Sequence, residues 1–249
     1  MSLQSGAAEI RVTCRSTDAV TDASIREAVA LLSPAERSRL ERLRRTVDRR
    51  GYALAHALLR KTLSPLIGSK PEALTFEADP YGKPRLTPTA DVSFSLSHTN
   101  GLVACAVARG RELGLDAEAI DRQIDIQGTA TRFFTAREAC YISEGEGEQK
   151  RDRFFEVWTL KEAFLKATGR GLSQSLDAIS FGLEENETIR YSLSPGNADA
   201  GWQFAVFRPT TRHLLAVGTP WLGAAATITV LLDDRAIVEV PPQRMTSHG

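Results

Sequence analysis

Cysteine is scarce in this chain, and net charge is absent. Cys14, Cys105 and Cys140 are the only three cysteines, far apart and without a C-x-x-C pair. That spacing argues against a zinc site and predicts reduced thiols in the cytoplasm. Lys plus Arg and Asp plus Glu each number 31, so the overall balance does not draw the chain to a polyanion. No nucleic-acid partner is expected. Apolar runs stay well short of the roughly 18 residues needed to cross a bilayer. Ser2, Gln4, Ser5, Glu9 and Arg11 also interrupt any signal-peptide core. No membrane partner is expected either. Neither G-x-G-x-x-G nor G-x-x-x-x-G-K-[ST] occurs, which excludes nucleotide binding through those two loops.

What is present is an ordinary globular composition, 42% hydrophobic and 25% charged over 249 residues. Such a length buries a substantial core, as one large domain or two subdomains. The charge is unevenly spread. Residues 37–50 hold seven arginines against Glu41 and Asp48. This run reads as a solvated basic helix or as a surface for phosphates or an acidic partner.

Local signals divide the chain into short helices and hairpins. Ser33-Pro34-Ala35-Glu36 is a helix start with a capping box, and a second helix is predicted over about Arg49 to Leu63, ended by Ser64-Pro65. Val92 to His98 alternates apolar and polar residues, predicting a strand with one buried face. Asn100-Gly101 then turns the chain into a return strand. Leu113 to Glu118 is a further strand. Thr135-Ala136-Arg137-Glu138 is a second capping box, and a strong helix is predicted from about Arg151 to Thr168, stopped by Gly169. Strands are also expected at Ile179–Phe181, Trp202–Phe207, Leu214–Gly218 and from Ile228, with a loose tail after Pro241. Helices and hairpins mix in both halves without repeated βαβ units, so an α+β fold of two subdomains is expected. The division is placed at Arg109-Gly110-Arg111, giving residues 1–110 and 111–249.

Three groups of residues carry chemistry. Asp116 and Glu118 sit two apart on a strand, so both carboxylates share a face. Like charges that close favour a cation between them, and oxygen ligands suit magnesium. Alone, the pair also describes two solvent-facing acids. Trp158, Glu162 and Lys166 recur at i, i+4 and i+8 on one helix face, beside an apolar stripe of Val157, Leu160, Phe164 and Ala167. Glu162 and Lys166 also have the spacing of a plain helix salt bridge. Gly169-Arg170-Gly171-Leu172 then turns the chain away, leaving that helix end open to a ligand. His98 ends its strand beside a turn. It is either a structural histidine or, with Lys83 and the arginines, part of a phosphate-holding set.

The order of these pieces resembles the Sfp-type 4'-phosphopantetheinyl transferases over about residues 35–220. Tyr81-Gly82-Lys83-Pro84 comes first, then Phe94-Ser95-Leu96-Ser97-His98, Gly114-Leu115-Asp116-Ala117-Glu118, and Phe133-Phe134-Thr135 with Glu138. Trp158 to Lys166 and Gly169-x-Gly171-Leu172 complete the series. The Trp and Lys-Glu-Ala form is similar to the branch typified by Sfp itself. The resemblance implies two similar subdomains of helix and antiparallel strands with the active site between them. It implies transfer of the phosphopantetheine arm of coenzyme A to a serine of an acyl or peptidyl carrier protein, releasing 3',5'-ADP.

Carried over by position, Asp116, Glu118 and Glu162 would hold magnesium. Lys166 would neutralise phosphate charge, and Glu162 or a metal-held water would take the serine proton. Lys83, Ser97 and His98 would contact the coenzyme A phosphates, with Arg49 and Arg50 near the family's upstream basic residues. Ala117 stands where the family usually has Ile or Val, and its side chain should point away from the metal. Displacement at phosphorus needs a clamp, a cation and a positioned nucleophile. A partner that brings the nucleophile accounts for the lack of a Ser-His-Asp or Cys-His set, and the arginine-rich run would steer an acidic carrier. A monomer is expected, since one chain holds both halves. The alternative reading is a magnesium-dependent phosphohydrolase acting on coenzyme A or a related pyrophosphate.

Overall fold

The computed structural model describes residues 9–88, 91–171, 174–183, 189–194 and 201–240. The first half contains β1 (Glu9–Ser16), α1 (Asp22–Ala30), α2 (Pro34–Arg42), α3 (Thr46–Ile67), the hairpin β2 (Thr75–Ala78) and β3 (Pro84–Thr87), and the hairpin β4 (Val92–Thr99) and β5 (Leu102–Arg109). The second contains β6 (Gly114–Ala119), α4 (Ile126–Phe133), α5 (Ala136–Ser143) and α6 (Gly147–Thr168). It continues through β7 (Ile179–Leu183), β8 (Ile189–Leu193), β9 (Trp202–Thr210), β10 (His213–Pro220), β11 (Thr227–Leu232) and β12 (Arg235–Val240).

Both expected capping boxes form. Ser33 Oγ accepts from Glu36 N while the Glu36 carboxylate accepts from Ser33 N, and Thr135 with Glu138 repeats the arrangement. α3 overruns its expected stop. Pro65 lies inside it, and the helix ends at Gly68 in the left-handed region at φ 69°. Proline removes only one N–H donor, and Gly68 N still reaches Ser64 O at 2.9 Å, so the last turn closes. α6 begins a turn earlier than its periodicity indicates and stops at Gly169, φ 72°. β1, α1 and α4 are additions to the sequence reading, although Ile10, Val12 and Cys14 do alternate inward along β1. Leu172 and the tail after Pro241 lie outside the described residues.

The architecture is α+β, and each half sets a 22-residue helix against antiparallel strands. One sheet has the order β12-β11-β1-β5-β4 and the other β6-β10-β9. The expected division at 110/111 falls between β5 and β6, yet β11, from far beyond it, pairs in parallel with β1 and places β12 on the first sheet's edge. A β-strand can be recruited this way because β1 would otherwise leave an unpaired ladder edge.

The halves meet where β4, an edge of the first sheet, faces β6, an edge of the second. Ser95, Ser97 and Thr99 on β4 accept hydrogen bonds from the backbone N–H groups of Leu115, Ala117 and Ala119 at 3.0–3.1 Å. Every second side chain of β4 thus serves as acceptor for every second amide of β6. This corrects the expectation of one solvated face: Ser93, Ser95 and Ser97 are all buried. Ser95 and Ser97 can be buried here because each hydroxyl satisfies a backbone donor that would otherwise be orphaned, while Ser93 Oγ donates to Glu112 Oε1 at 3.2 Å.

α6 lies directly on the backbone of β6 and β10. Gly114 and Gly218 sit opposite each other in the ladder. A Cβ on Gly114 would stand 2.0 Å from Ala163 O and 2.3 Å from Ala167 N. The glycine in G-x-D-x-E is therefore a contact residue for the small Ala163 in the Lys-Glu-Ala stretch. Phe154, Phe155, Val157, Leu160 and Phe164 anchor the same helix in the core, each contributing about 1.5–3 kcal/mol of burial.

Candidate active site

Strand alternation sends Leu115 and Ala117 into the core and places Asp116 and Glu118 on the opposite face. The latter two face α6, whose Trp158, Glu162 and Lys166 occupy successive turns. The helix and strand are joined at both ends of this set. Lys166 Nζ lies 2.6 Å from Asp116 Oδ1, and Trp158 Nε1 donates to Glu118 Oε1 at 2.9 Å. Glu162 stands one turn from each of these two contacts. Lys166 and Glu162 do not form the simple helix pair that their spacing also allowed.

Two further groups complete the set. Ser97 Oγ donates to Asp116 Oδ1 at 3.0 Å and accepts from Lys166 Nζ at 3.2 Å. Arg122 approaches Glu118 Oε1 at 3.4 Å, with its guanidinium against the faces of Phe155 and Trp158. Arg122 has no place in the recurring motif. It comes to the site because the chain turns sharply after β6, and only its position four residues past Glu118 hinted at it.

The electrostatics show an excess of negative charge. Burial pushes the Glu118 carboxyl up to about 7, aided by the charge of Asp116 and opposed by Arg122 and Trp158. Glu162 is likewise raised, first by burial and then by Asp116. Among the described residues Asp116 Oδ2 is buried without a hydrogen-bond partner. Among the described residues no group of three or more acidic, histidine or cysteine side chains closes on one point as a ready metal site. A magnesium ion needs less than that, since it keeps several waters and takes phosphate oxygens from its substrate. An orphaned buried carboxylate oxygen beside two acids reluctant to ionise is an environment that a hard divalent cation would relieve.

The residues assigned to coenzyme A phosphates fall in different places. His98 packs against α3, where a Cβ on Gly51 would come within 2.8 Å of its ring. Its pKa is lowered by burial and by the nearby Lys166 ammonium. It lines a cleft of about 910 Å³ together with Arg45, Arg50, Gly51 and Arg122. Arg50 reaches that cleft while paired to Asp22. Arg49 is exposed and does not line it; Arg45, the extended residue that precedes α3, does. A second, more apolar cleft of about 440 Å³ includes Arg39, Tyr52, His56, Phe76 and Phe94.

Lys83 departs most from its expected role. Its ammonium donates to Glu112 Oε2 at 3.0 Å and to the carbonyls of Leu113 and Ala167 at 3.2 Å each. An ammonium has three donors, and all three are engaged. In this structure Lys83 fastens the β2–β3 loop to the start of β6 and the end of α6. Burial lowers its pKa against the opposing pull of Glu112.

Residues 112–218 match the 4'-phosphopantetheinyl transferase superfamily, and residues 19–109 match the family described as 4'-phosphopantetheinyl transferase, N-terminal. The chain is 31% identical over 205 residues to the 4'-phosphopantetheinyl transferase HetI of Nostoc sp., covering 81% of this chain and 84% of HetI. It is 32% identical over 214 residues to psf-1 of Bacillus pumilus, covering 84% and 90%. Against Sfp of Bacillus subtilis it is 27% identical over 187 residues, covering 72% and 82%. The chain belongs to the 4'-phosphopantetheinyl transferase superfamily, in its Sfp-type branch. These relatives are transferases, and they lend no support to the phosphohydrolase alternative.

Proposed function

We propose that this chain transfers the 4'-phosphopantetheine arm of coenzyme A to a serine of an acyl or peptidyl carrier protein, with magnesium held by Asp116, Glu118 and Glu162. The observation that carries the reading is the buried Asp116 Oδ2, unpartnered beside two further carboxylates and under Lys166. Magnesium, when bound, would supply positive charge to the pyrophosphate.

The chain's own groups do the rest. The carrier serine Oγ forms a bond to the phosphorus that bears the pantetheine arm, the bridging P–O bond breaks, and 3',5'-ADP departs. Glu162, on the face of α6 one turn from Lys166, or a water held beside it, receives the serine proton. Lys166 sits beside Asp116, within a short side-chain movement of any phosphate placed over that carboxylate, and balances charge as the bond breaks. Trp158 and Arg122 hold one oxygen of Glu118 and so fix its direction. His98, Arg45 and Arg50 line the adjoining cleft and are the groups we assign to the phosphates.

The exposed arginines of α2 and the α2–α3 turn face solvent and give an acidic carrier an electrostatic approach. Both halves come from one chain, which favours a monomer. Cys14, Cys105 and Cys140 are free thiols, in keeping with the cytoplasm. No helix among the described residues is long and apolar enough to cross a membrane.

The test is incubation of the protein with coenzyme A, magnesium and a panel of apo carrier proteins. A carrier that gains the mass of the arm, with matching release of 3',5'-ADP, is the expected result. Release of 3',5'-ADP without any carrier would assign hydrolysis instead.

A further inference from the structure

The hydrogen bonds of Ser97 place it in a different role from the phosphate contact that its motif implies. A serine hydroxyl has one O–H donor and two acceptor lone pairs. Ser97 uses all of them inside the protein. Oγ accepts from Ala117 N at 3.1 Å and from Lys166 Nζ at 3.2 Å, and it donates to Asp116 Oδ1 at 3.0 Å. Nothing is left for a phosphate oxygen. The side chain is also buried, 5% exposed, so the hydroxyl has no water to exchange for a substrate contact.

The consequence falls on Asp116. Oδ1 is held from two sides, by Ser97 and by Lys166, while Oδ2 is buried with no partner. A carboxylate is free to rotate about its last bond, and the lysine is a long, mobile donor that a phosphate could draw away. Ser97 is not mobile. Its oxygen is pinned to the backbone of the residue next to Asp116, so it fixes which oxygen of the carboxylate is spoken for even if Lys166 leaves.

We infer that Ser97 is a positioning residue for Asp116, turning Oδ2 toward the cation and keeping it there. The inference rests on the metal-dependent reading above. It separates Ser97 from its neighbours in the row of hydroxyls. Ser95 accepts from Leu115 N in the same manner, but among the described residues its hydroxyl forms no carboxylate bond.

Ser95 therefore supplies the control. Ser97→Ala and Ser95→Ala each delete one hydroxyl acceptor from the contact between the halves, and they should lower thermal stability by similar amounts. Mn2+ binding is then measured by electron paramagnetic resonance on the whole chain with coenzyme A and no carrier, so that no turnover occurs. Ser97→Ala should weaken Mn2+ binding by about 10–100-fold, the usual effect of losing a group that orients a metal ligand. Ser95→Ala should stay within about twofold of wild type, and the KM for coenzyme A of Ser97→Ala, measured at saturating Mg2+, should be unchanged. Mn2+ affinity unchanged in Ser97→Ala, with a raised KM for coenzyme A, would overturn the inference and return Ser97 to substrate binding. Equal losses of Mn2+ affinity in both variants would also overturn it, by showing a general loosening of the interface. Wild-type protein that takes up no Mn2+ at all would sink the metal reading itself, which is a separate result.

Discussion

Lys166 reaches off its own helix to Asp116 on β6, Nζ to Oδ1 at 2.6 Å, instead of pairing with Glu162 one turn away. On the proposed mechanism the lysine would exchange Asp116 for a phosphate. Lys166→Met should lower kcat by about 10²–10³-fold, the usual cost of removing one charge-stabilising donor. The KM for coenzyme A should change much less. Steady-state kinetics on an apo carrier checks this, and the reverse pattern would make Lys166 a binding residue.

Asp116→Asn keeps the shape of the side chain and removes its charge. Transfer should be abolished while the thermal transition stays within a few degrees of wild type. A variant retaining near-normal turnover would end the assignment of Asp116 as a metal ligand.

Gly114 sets the height of α6 above β6, since any Cβ there would meet backbone atoms of Ala163 and Ala167. Backbone cannot rotate aside as a side chain does, so Gly114→Ala must displace the helix. A shift of about 1 Å in a catalytic group costs about 10²-fold in rate. Activity should fall by at least that factor, with a stability loss of about 1–3 kcal/mol from overpacking. Denaturant unfolding and the transfer assay read the two effects separately.

Lys83 is engaged by Glu112 and two carbonyls. Lys83→Met should cost about 1–3 kcal/mol by leaving buried acceptors unpaired, with the KM for coenzyme A nearly unchanged. A large rise in that KM in a stably folded variant would restore the phosphate role.

A pH-dependent contribution to stability resides in Glu36, away from the reaction. Burial raises its proton affinity, but hydrogen bonds from His56, Arg60 and Ser33 N outweigh this and hold the carboxyl down to about 2. Its partner Arg60 is 1% exposed and also binds the carbonyls of Pro71 and Leu74. A folded-state pKa below the ordinary value of 4.5 means the unfolded chain binds the proton first. Stability from this group is therefore present above pH 4.5 and lost as pH falls toward 2, by about 3 kcal/mol in all. Glu36→Gln should be less stable at neutral pH and should lose less on acidification over that window, as followed by urea unfolding at each pH.

The local elements were readable in the chain because their causes are local. Capping boxes at Ser33 and Thr135, the Asn100-Gly101 turn and the glycine stops at Gly169 act within a few residues of themselves. Pro65 misled because a proline near a helix end costs only one donor, which the later turn can absorb. β1 and β11 were harder, since their pairing joins residues near opposite ends of the chain and depends on no short-range signal.

By itself the sequence determined the chemical cast: two acids on one strand face, a third acid and a lysine at helical spacing, and the family to which that order belongs. Periodicity settles which side chains share a face, and motif order settles which chemistry they serve. Only the tertiary structure decided who touches whom. Lys166 pairs with Asp116 because two glycines let α6 lie on the β6–β10 backbone. The same strand edge places Ser97 under Asp116, draws Arg122 to Glu118, and leaves Lys83 bound among carbonyls. Each of those contacts spans more than one element, or turns on which atom a shared group can spare. Such facts exist only once the strands and helices are packed.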